Sequence, residues 1–344
     1  MATPAMQVRA GGEDGTMAHL RNRRAEGSID RASGAAAAAL KARAASWSLP
    51  VTEGPEGLAV TLWGAELRLI ALDPGMRIEI LAPEDRLVGI VREAATEIMA
   101  EVGLTVAWTA LEVGALAPGL ALMQVAGVRQ VGANFTHLRL TGPDAARLGQ
   151  GGLHVRLLLP QAGRQAVWPR VGPSGRTVWP EGADALHRPV YTVADQQGDG
   201  IEIAIFRHAD SPTCDWADRV APGATVGVMG PGGGWCPEGR LHLFGDQTAL
   251  PAIARLMRLA PGRATAVLRC DPEDLGALAG DPAVTVTDDL CAALRAWRPG
   301  AEDHVWFAAE AEEARTARRI LADHGLARGQ STVAAYWTAD RKPG

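Results

Sequence analysis

The hydrophobic pattern of the chain changes its period near Pro237, and this change constrains the fold more than any other feature. Before it, from Leu122 onward, apolar and polar residues alternate in short runs typical of antiparallel strands. About six such strands with one helical interruption predict a small Greek-key barrel. After it, short apolar strands alternate with amphipathic helices, beginning with a strand at 241–244 and a helix at 248–259. Strands joined by crossover helices predict a parallel, doubly wound sheet.

A chain of 344 residues with 47% hydrophobic content has room for two or three domains. Residues 1–32 are rich in Gly, Ala, Arg and Glu without periodicity, which predicts a mobile tail. An Ala-rich helix, three alternating runs and a second helix follow, so residues 33–112 are interpreted as a small α+β domain. The predicted architecture is therefore multidomain, with a barrel over 113–235 and a Rossmann-like α/β domain over 236–344.

Composition narrows the classes of function. The formal net charge of −5 gives no global reason to expect a nucleic-acid partner. No run of eighteen apolar residues occurs, which predicts no membrane insertion. The four cysteines lie more than twenty residues apart without a CxxC pair, so we expect free thiols, no metal site and a cytoplasmic location in the reducing cytosol.

One stretch of the predicted barrel carries residues with cofactor-binding chemistry. Arg188, Tyr191 and Thr192 stand in the sequence RPVYT, at the start of a two-stranded pattern that continues to His208. An arginine can pair with a pyrophosphate oxygen, a tyrosine can lie against an isoalloxazine ring, and a threonine can offer its hydroxyl and N–H near N5 of that ring. Tyr and Thr are also ordinary strand residues, so the stretch by itself also fits a plain barrel strand.

A second candidate lies where the first strand of the α/β domain ends, because such sheets bind ligands at the carboxyl ends of their strands. Gly245 permits a tight turn there, and Asp246 or Thr248 can cap the following helix, whose N–H groups suit anionic phosphates. An ordinary strand-to-helix turn explains the same residues equally well. The Gly-rich residues 230–234 lack the helix and the Lys-Ser/Thr pair of a phosphate loop, so we interpret them as a hinge between domains.

Several motifs follow one another in order over roughly residues 122–338. They are RPVYT at 188–192, IAIFRHADSPTCDWA at 203–217, PGATVGVMGPGG at 222–233, GDQTALPAI at 245–253, WFAAE at 306–310 and AAYW at 334–337. In this order they resemble the siderophore-interacting proteins, flavin-dependent ferric-siderophore reductases with a ferredoxin-reductase-like fold. Residues 33–112 more loosely resemble a small α+β domain of unknown role that can accompany such reductases.

The resemblance implies FAD as the cofactor, held by the RPVYT residues and by a loop and helix start that receive its phosphates and adenine end. The residues implied for that loop and helix are His208, Ser211, Trp216 and Ala217. NADPH or NADH is implied as the electron donor. The residues implied on the donor side are Gly245, Asp246, Thr248 and Glu310. No catalytic side chain beyond the flavin is expected, because the cofactor carries the chemistry.

Three positions depart from the family pattern. Ala209 stands where the family usually has Gly, which tightens the predicted phosphate loop. Ala194 and Thr338 stand where it usually has Arg or Lys. These two changes remove positive charge from places where an anionic ferric siderophore would be attracted.

The expected function is a reductase that transfers electrons from NAD(P)H through FAD to the iron(III) of a ferric siderophore, which releases iron(II). A general NAD(P)H:flavin or quinone reductase is an open alternative. So is a carrier or sensor that binds flavin or siderophore without turnover. The sequence does not choose between NADPH, NADH and a ferredoxin as the donor, nor does it identify the siderophore or the oligomeric state.

Overall fold

The protein is described by a computed structural model that covers residues 21–30, 34–55, 57–327 and 329–339. It divides into two units, each built from two segments of the chain. The first unit contains the described residues up to Ala121 together with Pro160–Leu186. The second contains Leu122–Leu159 together with the described residues from His187 onward. Among all these residues, no helix combines the length and the apolar character needed to cross a membrane.

An antiparallel sheet covered by two helices forms the main part of the first unit. Its strands are β1 (Arg23–Ile29), β2 (Val51–Gly54), β3 (Gly57–Leu62), β4 (Ala65–Ala71), β5 (Met76–Ala82) and β6 (Ala107–Trp108). The spatial order is β2-β3-β4-β5-β1-β6. Helices α1 (Gly34–Ser46) and α2 (Asp85–Glu101) share one apolar core with alternate residues of these strands, such as Leu67, Leu69, Ile78 and Ile80. The predicted α+β arrangement is confirmed.

The predicted tail over 1–32 is corrected where β1 forms. This strand pairs with β5 along its whole length, and Ile29 is 1% exposed. Its inward positions include Gly27, where a Cβ atom would come within 2.8 Å of Cγ1 of Val106. Small inward residues give almost no hydrophobic alternation, which is why the pattern predicted no strand. Residues 1–20 and 31–32 of the predicted tail lie outside the described residues.

Pro160–Leu186, predicted as part of the barrel domain, belongs to the first unit instead. It contains the two-stranded sheet of β10 (Arg170–Val171) and β11 (Thr177–Val178), which pair with each other and lie outside the barrel. The backbone N–H of Gly114 donates to the carbonyl of Val171 at 2.8 Å, and the N–H of Thr177 donates to Oε1 of Glu93 at 3.0 Å. These contacts come from residues distant in sequence, so no local pattern could reveal them.

The barrel of the second unit is closed and antiparallel. Its strands are β7 (Leu120–Val131), β8 (Phe135–Thr141), β9 (His154–Leu158), β12 (Val190–Gln197), β13 (Gly200–Phe206) and β14 (Thr225–Gly232). They are ordered β12-β13-β8-β7-β14-β9, as expected for a Greek-key barrel rather than for a simple meander. Two short helices, α3 (Ala145–Leu148) and α4 (Pro212–Ala217), interrupt the strands. The predicted barrel is confirmed.

A parallel sheet of five strands completes the second unit. Its elements are β15 (Arg240–Asp246), α5 (Leu250–Leu259), β16 (Ala264–Arg269), β17 (Val284–Val286), α6 (Leu290–Ala296), β18 (Asp303–Glu310), α7 (Ala311–Asp323) and β19 (Ser331–Trp337). The order β17-β16-β15-β18-β19 reverses direction at β15, between β16 and β18. This reversal is the topological switch point at which doubly wound sheets bind ligands, and it confirms the Rossmann-like prediction.

Candidate functional site

The predicted trio Arg188, Tyr191 and Thr192 lies at the start of β12, against β9. In the antiparallel register, Tyr191 is opposite Val155 and Thr192 is opposite His154. Thr192 is buried, whereas Arg188, two residues before the strand begins, is exposed. The structure therefore brings the three residues to one end of the β9–β12 pair.

Arg156 is a residue that the sequence analysis missed. It lies on β9 opposite Val190, and its pKa is lowered by burial and then by the positive charge of Arg188. The two guanidinium groups are therefore close enough to repel each other. The available signal was an arginine in the middle of the apolar run HVRLLL, where charged residues are rare.

Tyr191 is held by a hydrogen-bond network that reaches α4. Burial raises its pKa to about 12, against the opposing effect of a hydrogen bond with the side chain of Thr213. The Thr213 hydroxyl also lies 2.9 Å from Nε2 of His187. The phenol is thus protonated and fixed in orientation. Sequence reasoning quoted Thr213 within a motif but assigned it no role.

The loop that carries His208 and Ser211 is closed by an ion pair. Arg207 and Asp218 form two parallel hydrogen bonds of 2.7 and 2.8 Å. Within this loop the exposed His208 ring contacts its neighbour's carbonyl, with Nδ1 at 2.9 Å from the oxygen of Ala209. Ser211 is buried and caps α4, because its Oγ accepts the N–H of Cys214 at 3.3 Å. On α4 itself, Trp216 is half-buried and Ala217 is buried.

At the switch point, Asp246 is fully buried and its two oxygens are occupied by internal donors. Oδ1 accepts the N–H of Thr248 at 2.9 Å and the Thr248 hydroxyl at 2.6 Å. Oδ2 accepts Nε1–H of Trp337 at 2.7 Å. Gly245 leaves room for the turn, since a Cβ atom there would lie 2.7 Å from the Cβ of Ala249. These predicted donor-side residues therefore build the turn itself.

Glu310 has a similar position at the end of β18. It caps α7, accepting the N–H of Glu312, and its other oxygen accepts the N–H of Ala339 at 3.2 Å. Partial burial opposes its charge, but the backbone N–H groups outweigh that effect and lower its pKa. Like Asp246, this carboxylate has internal donors on both oxygens.

A short series of contacts connects strand β12 of the barrel to the switch point of the parallel sheet. His154, the register partner of Thr192, has Nε2 2.7 Å from the Tyr336 hydroxyl of β19. The next residue, Trp337, is the one that donates to Asp246. Burial, followed by the charge of Arg255, lowers the pKa of His154 to about 4, so the imidazole is neutral at physiological pH.

The Gly-rich residues 230–234, predicted as a hinge, instead begin inside β14. Gly232 is the register partner of His154, and a Cβ atom on Gly233 would lie 2.2 Å from Nδ1 of the same ring. The glycines therefore allow β14 to approach the imidazole closely.

A cleft of about 350 Å³ opens where the parallel strands end. Its lining comes from the ends of β15, β16 and β17 and from two barrel residues, Asn134 and Phe206. Asn134 is held there by Asp274, which accepts its backbone N–H at 3.0 Å and its side-chain amide at 2.8 Å. The wall that the barrel contributes is therefore anchored to the segment after β16.

The residues present fit an FAD. Arg156 and Arg188 lie close enough to repel each other, so a pyrophosphate there would be attracted to both, beside the half-buried Tyr191 and the buried Thr192. In the described part of the chain, no three or more His, Cys, Asp or Glu side chains are grouped so that they could hold a metal ion.

Comparison with known proteins agrees with this assignment. The profile of the siderophore-interacting FAD-binding domain matches residues 124–235, and that of the siderophore-interacting protein matches residues 239–340. Ferric vibriobactin reductase ViuB of Vibrio cholerae is 26% identical over 161 residues, which cover 43% of this chain. The chain spans 56% of the length of that relative.

Two solved structures share the fold of about two thirds of the chain. A siderophore utilization protein from T. fusca is 29% identical with a TM-score of 0.56, covering 65% of this chain and 94% of its own. The siderophore-interacting protein SipS from Aeromonas hydrophila is 24% identical with a TM-score of 0.53. The match covers 65% of this chain and 93% of SipS, and it shows only that the fold is shared.

The closed barrel, with Arg156 and Arg188 at one end of the β9–β12 pair, and the parallel sheet of the same unit define an FAD-binding flavoprotein. The two profile matches together cover more than half of the chain. The chain belongs to the siderophore-interacting protein family, and FAD is the cofactor of its barrel.

Proposed function

We propose that this protein is a reductase that takes a hydride from NAD(P)H and passes single electrons through FAD to the iron(III) of a ferric siderophore. The observation that carries the proposal is the series of contacts from Thr192 through His154 and Tyr336 to Trp337 and Asp246. These contacts connect β12, the strand that we propose to bind the flavin, with the switch point of the parallel sheet. Hydride transfer requires two sites in such proximity, because the reacting atoms must approach to about 3–3.5 Å.

The protein's own contribution to this reaction is binding and orientation. Arg156 and Arg188 would neutralise the pyrophosphate of FAD, and the protonated Tyr191 would present its ring to the flavin. Thr192 would offer its hydroxyl and N–H near the reactive edge of the ring. When bound, FAD supplies the redox chemistry by accepting two electrons together and delivering them one at a time.

His208, Ser211, Trp216 and Ala217 enter this proposal as the residues that shape the loop and helix next to the cofactor. Thr213 joins them, because its side chain connects α4 to Tyr191. The two buried or half-buried α4 residues, Trp216 and Ala217, would fix the helix against the barrel.

The substrate would be an iron(III) chelate rather than a metal bound by protein ligands. Hard iron(III) suits anionic oxygen ligands, whereas iron(II) is held by them more weakly, so reduction releases the metal. Ala194 brings no cation to attract such a chelate. However, Arg258 of α5 donates to the Ala194 carbonyl, so a guanidinium group is present in that neighbourhood. A cytosolic location is part of the same proposal, since all four cysteines are free thiols.

The test is anaerobic reduction of the FAD-loaded protein by NADH and by NADPH, followed by addition of iron(III) tris-catecholate. We expect the flavin absorbance to be bleached by a nicotinamide donor and to return with the iron complex. The gallium(III) complex, similar in size and charge but redox-inert, is the control. Bleached flavin that the iron complex does not reoxidise would contradict the proposal. If quinones or free flavin reoxidise it under the same conditions, the protein is a general flavin or quinone reductase.

A further inference from the structure

The cleft at the carboxyl ends of β15, β16 and β17 has a charge pattern that bears on the electron donor. Its volume of about 350 Å³ falls in the range of small-molecule sites, which is about 300–1,000 Å³. In doubly wound sheets a dinucleotide crosses the switch point, and the ribose that distinguishes NAD from NADP lies near the end of the second strand. Here that strand is β16, which ends at Arg269 in the cleft wall.

The guanidinium of Arg269 is already engaged by carboxylates. Glu313 of α7 accepts two of its N–H groups at 2.5 and 2.7 Å, and Oδ2 of Asp246 lies 3.9 Å away. This pairing, mainly the hydrogen bonds with Glu313, raises the pKa of Arg269. Two carboxylates beside one cation leave no net positive charge for an additional anion.

The remaining charged groups in the cleft wall are acidic. Asp271 and Asp288 both line it, and both are exposed. Between Arg269 and Asp271, burial raises the pKa of the Cys270 thiol to about 11, with smaller contributions from Asp274 and Asp271, so this side chain is neutral. The other polar lining groups are the uncharged side chains of Gln247, Thr287 and Asn134.

We propose that this cleft holds the adenosine ribose of a dinucleotide with a free 2′-hydroxyl, and that Glu313, Asp271 and Asp288 make NADH rather than NADPH the donor. The proposal rests on the proposed function only in taking a nicotinamide dinucleotide as the ligand. A 2′-phosphate would bring about two negative charges toward these carboxylates. A 2′-hydroxyl can instead donate a hydrogen bond to one of them. Glu313 determines specificity because it neutralises Arg269, the one cation among the described residues that line the cleft.

The matched ligands for a test are 5′-AMP and 2′,5′-ADP, which differ only by the 2′-phosphate. Their binding to the FAD-loaded protein is measured by calorimetry, a readout independent of flavin reduction and of iron. We expect 5′-AMP to bind at least about tenfold more tightly, because the 2′-phosphate of 2′,5′-ADP is repelled by the acidic groups of the cleft wall. Equal affinities, tighter binding of 2′,5′-ADP, or no binding of either nucleotide would overturn the proposal.

The Glu313→Gln variant tests the role of the ion pair. Releasing Arg269 should tighten 2′,5′-ADP binding by about tenfold and leave 5′-AMP nearly unchanged. Glu312→Gln is the matched control, since it removes the same charge from the adjacent residue of α7, whose partner is the exposed Arg315. It should change neither affinity. The double variant Glu313→Gln with Arg269→Gln should lose the gain.

A failure of this inference can be told apart from a failure of the proposed function. If both dinucleotides reduce the flavin equally well and 2′,5′-ADP binds as tightly as 5′-AMP, the selectivity is wrong while the reductase remains. If 5′-AMP binds selectively but neither NADH nor NADPH bleaches the flavin, the cleft assignment is supported and the proposed hydride donor is contradicted.

Discussion

Charged side chains have different surroundings at the β9–β12 pair of the barrel and at the switch point of the parallel sheet. Arg156 on β9 and Arg188, just before β12, lie close enough for Arg188 to lower the pKa of Arg156. At the switch point, each carboxylate oxygen of Asp246 and Glu310 accepts internal donors, and Arg269 is paired with Glu313. Two cations close together favour an anionic ligand, because its negative charge reduces their mutual repulsion. A charged side chain that already has internal partners instead stabilises the local fold, as Asp246 and Glu310 do, or no longer attracts a ligand of opposite charge, as we propose for Arg269.

The largest expected effect concerns the structural side of this comparison. Asp246→Ala should lower the free energy of unfolding by about 4 kcal/mol, because buried donors of Thr248 and Trp337 lose their acceptor. Asp246→Asn keeps an acceptor for Thr248 and should cost about half as much. Urea unfolding of both variants measures this. A loss below about 1 kcal/mol together with lost 5′-AMP binding would identify Asp246 as a ligand-binding group instead.

The next effect tests the neutral imidazole between the two regions. His154 has a folded-state pKa of about 4 against about 6.5 when unfolded, so between these values the unfolded chain binds a proton that the folded protein does not. Stability should therefore fall by about 3 kcal/mol as the pH is lowered from 6.5 to 4. His154→Gln should remove this part of the pH dependence. The comparison of urea unfolding in the two proteins isolates it from the carboxylates, which titrate in both.

The pair of Arg156 and Arg188 should dominate retention of the cofactor. Arg156→Ala together with Arg188→Ala should weaken FAD binding by about a hundredfold, since two charge-assisted contacts are lost. Flavin absorbance after gel filtration and fluorescence titration of the apoprotein measure this. Arg129→Ala is the control, because this barrel arginine is paired with Glu202. If it weakens FAD as much as the double variant, net charge rather than the site controls affinity.

The smallest effect concerns Ser211. Ser211→Ala should reduce stability by about 1 kcal/mol by removing the cap of α4, and Ser211→Asn should restore it because Asn also caps helices. Chemical denaturation measures both, with FAD affinity measured in parallel. An FAD affinity at least tenfold weaker in Ser211→Asn would show that the hydroxyl itself contacts the cofactor.

Much of the fold follows from periodicity, and the exceptions have physical causes. The barrel and the alternating strands and helices carry strong apolar patterns, so their elements were predictable. The strand Arg23–Ile29 was not, because its inward positions include Gly27. Arg156 and Thr213 became visible only through strand register and a hydrogen bond across the fold. The sequence GDQT fits an Asp246 that caps a turn as well as one that contacts a ligand. The two roles are distinguished only in the structure, where the carboxylate accepts hydrogen bonds from Thr248 and Trp337.

The first unit is discontinuous in sequence, and this affects how the chain is made. Chains generally fold domain by domain during synthesis, at about 5–20 residues per second. The first unit lacks its segment Pro160–Leu186 until after β7, β8 and β9 of the barrel have been translated. The contact between Thr177 and Glu93 thus becomes possible at a point of synthesis when β12, β13 and β14 of the barrel are still to be translated. The segments of the two units alternate along the chain, so synthesis of the second unit begins before that of the first is complete.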